Sequence, residues 1–180
     1  MDQASAQQSA IVIGIGNQYR CDDAVGIIVA RMLTEASPRG VRVREASGEG
    51  TELMDAWQDT EFVILVDAVQ SGSSPGTIYR LDAHQSTLPS RFFHYSTHAF
   101  SVAEAVELAR ALNRLPTRLV VYGIEGACFA AGEGLSRGVE RAAKEVARRV
   151  LAELEYATPS RRTPQGKPSS GRPRSTLLSP

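Results

Sequence analysis

Cysteine is nearly absent from this chain. The 180 residues include only Cys21 and Cys128, which form no CxxC pair and are too few for a disulfide framework. Two isolated thiols fit a reducing compartment. Long apolar runs are missing too: none approaches the roughly 20 residues a membrane-spanning helix needs. Met1-Asp2-Gln3-Ala4-Ser5 carries no basic n-region. A cytoplasmic protein with no membrane partner is the expectation. A basic body is also lacking. Formal net charge is zero, but Arg161, Arg162, Lys167, Arg172 and Arg174 lie in a tail without acids. The rest holds 15 basic against 20 acidic residues, about −5, which argues against a nucleic-acid partner.

Several catalytic signatures are missing as well. Gly14-x-Gly16 follows an apolar run, but Tyr19 stands where a dinucleotide loop has its third glycine. No P-loop lysine follows, and neither HExxH nor G-x-S-x-G occurs. Ser71, Ser73 and Ser74 sit in a Ser/Gly/Pro turn, not on a nucleophile elbow. Cys21 adjoins the acidic pair Asp22-Asp23, which should raise its pKa and blunt a thiolate, and Cys128 reads as simple core.

What the chain does have is strands alternating with helices. Apolar runs predict strands over 10–16, 61–67 and 119–123; Val41 and Val43 predict a short half-exposed strand, and 77–81 an edge strand. Val25, Val29, Met32 and Leu33 form one helical stripe, and a short helix surrounds 52–57. A capping box, Ser101 to Glu104, opens a helix with Val102, Val106, Ala109 and Leu112 on one face and Pro116 at its end. A last helix spans about 135–155. This pattern predicts a single three-layer α/β/α domain over 10–156, with a mainly parallel sheet of about five strands between helices. Residues 1–9 and the Pro/Ser/Arg tail 157–180 read as disordered.

The chemistry gathers at strand ends. Asp67 follows the run Phe62-Val63-Ile64-Leu65-Val66, at the edge where open α/β sheets place their ligand crevices. The first strand ends in Asn17, whose amide can brace the turn, and leads to Asp22 and Asp23. These two acids fit helix caps and crevice groups equally well on spacing alone, one facing each way. Gly14 and Gly16 allow close backbone approach. Glu125 ends the last strand on the side of Asp67, open to either a crevice or a structural role. His98 lies on the loop entering the capped helix. Asp23, Asp67 and His98 would make a one-nitrogen, two-oxygen set suited to a borderline divalent ion such as nickel or zinc.

At these residues the chain resembles the hydrogenase maturation endopeptidases. The likeness covers about 10–155. It rests on Ile13-Gly14-Ile15-Gly16-Asn17, Asp22-Asp23-Ala24-Val25-Gly26, Val66-Asp67-Ala68, Ser96-Thr97-His98 and Tyr122-Gly123-Ile124-Glu125, in that order. The basic tail lies outside the family pattern, and Gly126 replaces a frequent proline. The resemblance implies metal contact through Asp23, Asp67 and His98, with Asp23 and Asp67 catalytic. It implies an endopeptidase of aspartic type that removes the C-terminal extension of a NiFe-hydrogenase large-subunit precursor. The nickel belongs to that precursor, no organic cofactor is needed, and a maturation chaperone is a possible second partner. A nickel-binding maturation chaperone or sensor without protease activity is the alternative. Peptidyl-tRNA hydrolases share the strand and G-x-G-N opening, but would need an early histidine and a basic groove. Here the acidic segment Gln18-Tyr19-Arg20-Cys21-Asp22-Asp23 stands instead.

The tail holds no residue positioned to join a core. Truncation after residue 156 should leave the melting temperature within about 2 °C of the full chain by calorimetry. A large fall would assign the tail a packing role.

Overall fold

A computed structural model describes residues 10–92 and 101–157. The first strand, β1 (Ala10–Ile15), passes through a 3₁₀ turn (Cys21–Ala24) into helix α1 (Val25–Ala36). Then come β2 (Val41–Ala46), α2 (Gly50–Ala56), β3 (Phe62–Val69), β4 (Ile78–Asp82), α3 (Val102–Ala111), β5 (Arg118–Glu125) and α4 (Arg137–Ala157). The strands form one sheet in the order β2-β1-β3-β5-β4, parallel except for antiparallel β4 at the edge. The predicted mainly parallel α/β architecture is what the chain adopts.

Alternation along the strands divides the core. Ile11, Ile13, Val63, Leu65, Leu119 and Val121 pack with Leu53 of α2, with Trp57 just past its end, and with Val102, Val106 and Ala109 of α3. Val12, Ile64, Val66, Val120 and Tyr122 face the opposite way, against Val25, Val29 and Leu33 of α1 and Val139, Val146 and Val150 of α4. All eight positions of β3 are buried, as expected of a central parallel strand covered on both faces.

The ends of the elements depart from the sequence reading in informative ways. β3 continues past Val66, because its pairing with β5 runs from Phe62 opposite Arg118 to Val69 opposite Glu125. Asp67 therefore lies inside β3 rather than at its end, while Glu125 closes β5, as expected. β1, by contrast, pairs with β3 only as far as Gly14 opposite Val66. Asp67 thus lies one residue beyond the last β1–β3 pair, beside Ile15, which pairs with Ala46 of β2 instead. Leu112 is not on the buried face of α3 but half exposed beyond its last turn. There the chain reverses through Asn113, whose φ of 53° is left-handed, before Pro116 is reached.

β1 turns into α1 and then reaches β2 on one side, while β3 lies on the other. This reversal of direction is where doubly wound sheets open a crevice. Glycines permit the packing at that point. A Cβ on Gly26 would strike the carbonyl oxygens of both Ile15 and Val66, and one on Gly14 would come within 2.6 Å of the Ala30 Cβ. We expect Gly26→Ala to cost about 3 kcal/mol, because the obstructing atoms are backbone. That is a fall in melting temperature of about 6–12 °C for a chain of this size, measurable by calorimetry. An unchanged transition would show that α1 can shift freely away from the sheet.

Candidate active site

A cleft of about 430 Å³ opens at the carboxyl ends of β1 and β3, and both Asp23 and Asp67 line it. Its walls come from the turn after β1 (Gly16, Asn17, Arg20), the end of β2 (Glu45, Ala46), Arg31 of α1, and Phe92, Val102 and Phe129. Gly16, at φ 145°, lets β1 finish directly against the Asp23 carbonyl, which a Cβ there would overlap. The Asn17 N–H donates to that same carbonyl at 3.3 Å, and the Asn17 Oδ1 accepts from the Tyr19 N–H at 2.9 Å. This turn fixes where Asp23 stands.

Asp67 follows Val63 and Leu65 on the sheet face covered by α2 and α3, and is 8% exposed. Its Oδ1 accepts from the Ala68 N–H at 2.8 Å. That bond does not offset burial and the repulsion of Asp23, which together push the Asp67 carboxyl up to about 8. Among the described residues, no three His, Cys, Asp or Glu side chains stand close enough to hold a metal ion. A cation on the Asp23–Asp67 pair would need ligands from elsewhere. His98 lies outside the described residues, although Phe92 and Val102, on either side of the stretch containing it, both line the cleft.

The remaining acids serve the scaffold. Asp22 caps no helix. Fully buried, it turns from the cleft and accepts from the N–H groups of Ala127 (2.8 Å), Cys128 (2.9 Å) and Ser136 (2.6 Å) and from the Ser136 hydroxyl (2.8 Å). Burial pushes its carboxyl up, but these donors outweigh that and hold it below the ordinary range. Glu125 is likewise absent from the cleft wall. Its carboxylate takes the N–H groups of Ser71 and Gly72 and the Ser71 hydroxyl, fastening the turn after β3. Gly126 donates its N–H to the Val69 carbonyl at 3.0 Å, a bond proline would lack. The two cysteines, distant in sequence, meet here. Cys128 is half-buried, and a hydrogen bond between the two thiols is the main cause that raises the Cys21 pKa, with Asp22 the smallest.

A profile of the hydrogenase maturation proteases matches residues 27–153. The chain belongs to the hydrogenase maturation protease family. It is 26% identical over 148 residues to the hydrogenase 2 maturation protease of Escherichia coli strain K12, covering 80% of this chain and 89% of that protein. It is 27% identical over 120 residues to the hydrogenase expression/formation protein HupD of Rhodobacter capsulatus, covering 66% of this chain and 57% of that longer protein. A solution structure of an Escherichia coli endopeptidase superposes with a TM-score of 0.71 at 25% identity, over 82% of this chain and 92% of that one. Arg20, Arg31, Glu45, Phe92 and Phe129 line the cleft of this family member without having been singled out in the sequence. Arg20 sits between Asn17 and Asp22, and that placement alone was a usable signal.

An acid whose folded pKa is raised weakens the fold as pH rises. Between about pH 4, where an unfolded aspartate titrates, and pH 8, the folded protein keeps a proton that the unfolded chain has released. We expect Asp67→Asn to leave stability unchanged near pH 4 and to raise it progressively toward pH 8, by about 2–5 kcal/mol. Urea melts of both proteins across this range measure the gain. A gain independent of pH would contradict the assignment.

Proposed function

We propose that this protein is an endopeptidase that removes the C-terminal extension of a NiFe-hydrogenase large-subunit precursor, and that it recognises nickel already inserted in that precursor. The observation that carries this reading is two carboxylates facing one cleft, Asp23 from the 3₁₀ turn after β1 and Asp67 from β3, with burial and the Asp23 charge raising the Asp67 carboxyl. Such a pair is costly when empty and is relieved by a cation. The relatives' names and the family match support hydrogenase maturation as the setting.

In this reading Asp23 and Asp67 supply two oxygen contacts to the precursor's nickel, and His98 the nitrogen. His98 precedes the cleft-lining Val102 by four residues, a reach of at most about 14 Å of extended chain. With the cation in contact Asp67 releases its proton. Water attacks the scissile carbonyl while a carboxylate takes its proton, and the proton then passes to the departing amine. We assign that proton transfer chiefly to Asp67, because β3 and β5 hold it most rigidly. Two half-buried free thiols support a cytoplasmic setting.

Intact-mass spectrometry of a cognate precursor, nickel-loaded and nickel-free, tests the reading. Loss of one defined C-terminal peptide from the nickel-loaded form alone is expected, and Asp67→Asn should slow it at least ~100-fold. Near-wild-type cutting by Asp67→Asn would sink the role of Asp67. No cutting of either form, with tight nickel binding by the isolated protein, would favour a metallochaperone.

A further inference from the structure

We propose that Arg20 is a further catalytic residue of this site, its guanidinium holding the carbonyl oxygen of the bond to be cut. The inference rests on the protease reading above. When water adds to the carbonyl carbon, the π pair moves onto the oxygen and a water proton passes to a cleft carboxylate. The tetrahedral species then collapses. The C–N bond breaks, its electron pair stays on nitrogen, and the proton held by the carboxylate completes the new amine. Two carboxylates can manage that proton, but the one left ionised repels the transient oxyanion and neither offers it a positive charge. The cleft therefore needs a fixed donor of the opposite charge.

Two arginines line the cleft, and their surroundings divide the work between them. Arg31 is engaged at the rim. Its Nε and Nη2 donate to the two Glu45 carboxylate oxygens at 2.9 and 3.0 Å, Nη2 also reaches the Gln18 Oε1 at 3.0 Å, and its side chain is 51% exposed. Arg20 is half-buried, and no carboxylate among the described residues forms an ion pair with it. Its Nε and Nη2 both donate to a single atom, the Phe129 carbonyl oxygen, at 3.2 and 3.0 Å. A guanidinium has five N–H donors in a rigid fork, so the Nη1 amino group is left for a peptide in the cleft.

The placement is also fixed in advance. The Arg20 N–H donates to the Asn17 carbonyl at 3.1 Å, its carbonyl accepts from the Asp23 N–H at 3.0 Å, and its backbone bridges to Gly132. The same short turn thus sets both Asp23 and Arg20, and a donor held this way needs no reorganisation as charge develops.

A residue that merely clamped the loop through the Phe129 carbonyl would not need its charge. Arg20→Gln keeps an N–H donor and removes the cation, while Arg20→Lys keeps the cation on a different donor geometry. Steady-state cleavage of the nickel-loaded precursor is measured for both, with melting curves alongside. For Arg20→Gln we expect a loss of about 10²–10³ in kcat, with KM within about threefold of wild type and an unchanged melting temperature; Arg20→Lys should recover part of the loss. The proposal is overturned if Arg20→Gln keeps kcat within about threefold of wild type. It is equally overturned if KM rises while kcat holds, or if both variants lose activity in step with a lowered melting temperature. Wild-type protein is the reference arm. Its failure to cut the nickel-loaded precursor would overturn the protease reading itself, before either variant is compared.

Discussion

The rest of this structure depends on how closely the backbone of α1 approaches the ends of β1 and β3. At Gly26 the helix lies against the carbonyls of Ile15 and Val66, and Gly16 brings the chain end of β1 onto the carbonyl of Asp23. Side chains at these points would push the helix outward. Asp23 would then swing away from Asp67, and the mutual repulsion that raises the Asp67 carboxyl would fade with distance. The glycines are therefore an electrostatic device as much as a packing one. They set the separation of two like charges, a quantity that neither aspartate controls alone.

Three carboxylates are buried among the described residues, and they are treated very differently. Asp22 meets four donor groups and Glu125 three, so each is solvated by protein and fastens a loop. Asp67 is also buried, but among the described residues its carboxylate accepts from its own neighbour's N–H and faces a like charge. The fold can evidently satisfy a buried acid when the role is structural. Leaving Asp67 poorly compensated costs stability, and such a cost is expected where a group must later meet a ligand. This contrast separates the scaffold acids from the site acid more clearly than their positions in the chain do.

The sequence made the sheet and the principal acid legible because both depend on short-range pattern. An apolar run followed by Asp67 needs no tertiary information, and the capping box at Ser101 and Glu104 is read from four residues, with Glu104 accepting from the Ser101 N–H. Roles that depend on distant chain were hidden. Nothing near Asp22 announces that its partners lie at Ala127, Cys128 and Ser136, over a hundred residues on. The same holds for Phe129, whose place in the cleft comes from the loop that Asp22 holds. Cys21 shows the converse. Its raised pKa was foreseen, but from the adjacent acids, whereas the larger cause is Cys128 brought in by that loop. Strand ends were misjudged by two residues because hydrophobic runs do not reveal where a neighbouring strand stops.

The pairing pattern explains why Asp67, rather than Val66 or Ala68, can carry the site. Val66 is still flanked by Gly14 of β1 and by Tyr122 of β5, so it is locked between two strands and its side chain belongs to the core shared with α1 and α4. Ala68 has the same facing as Val66 and would direct a longer side chain under α1. Asp67 alone combines the α2 and α3 facing, a β5 partner that fixes its backbone, and a place just beyond the last β1–β3 pair. Rigidity on one side and open space on the other come from a single feature, the point where β1 stops pairing with β3. A carboxylate one position earlier would be sealed in the core. One position later, it would fall on the sheet face shared with α1 and α4.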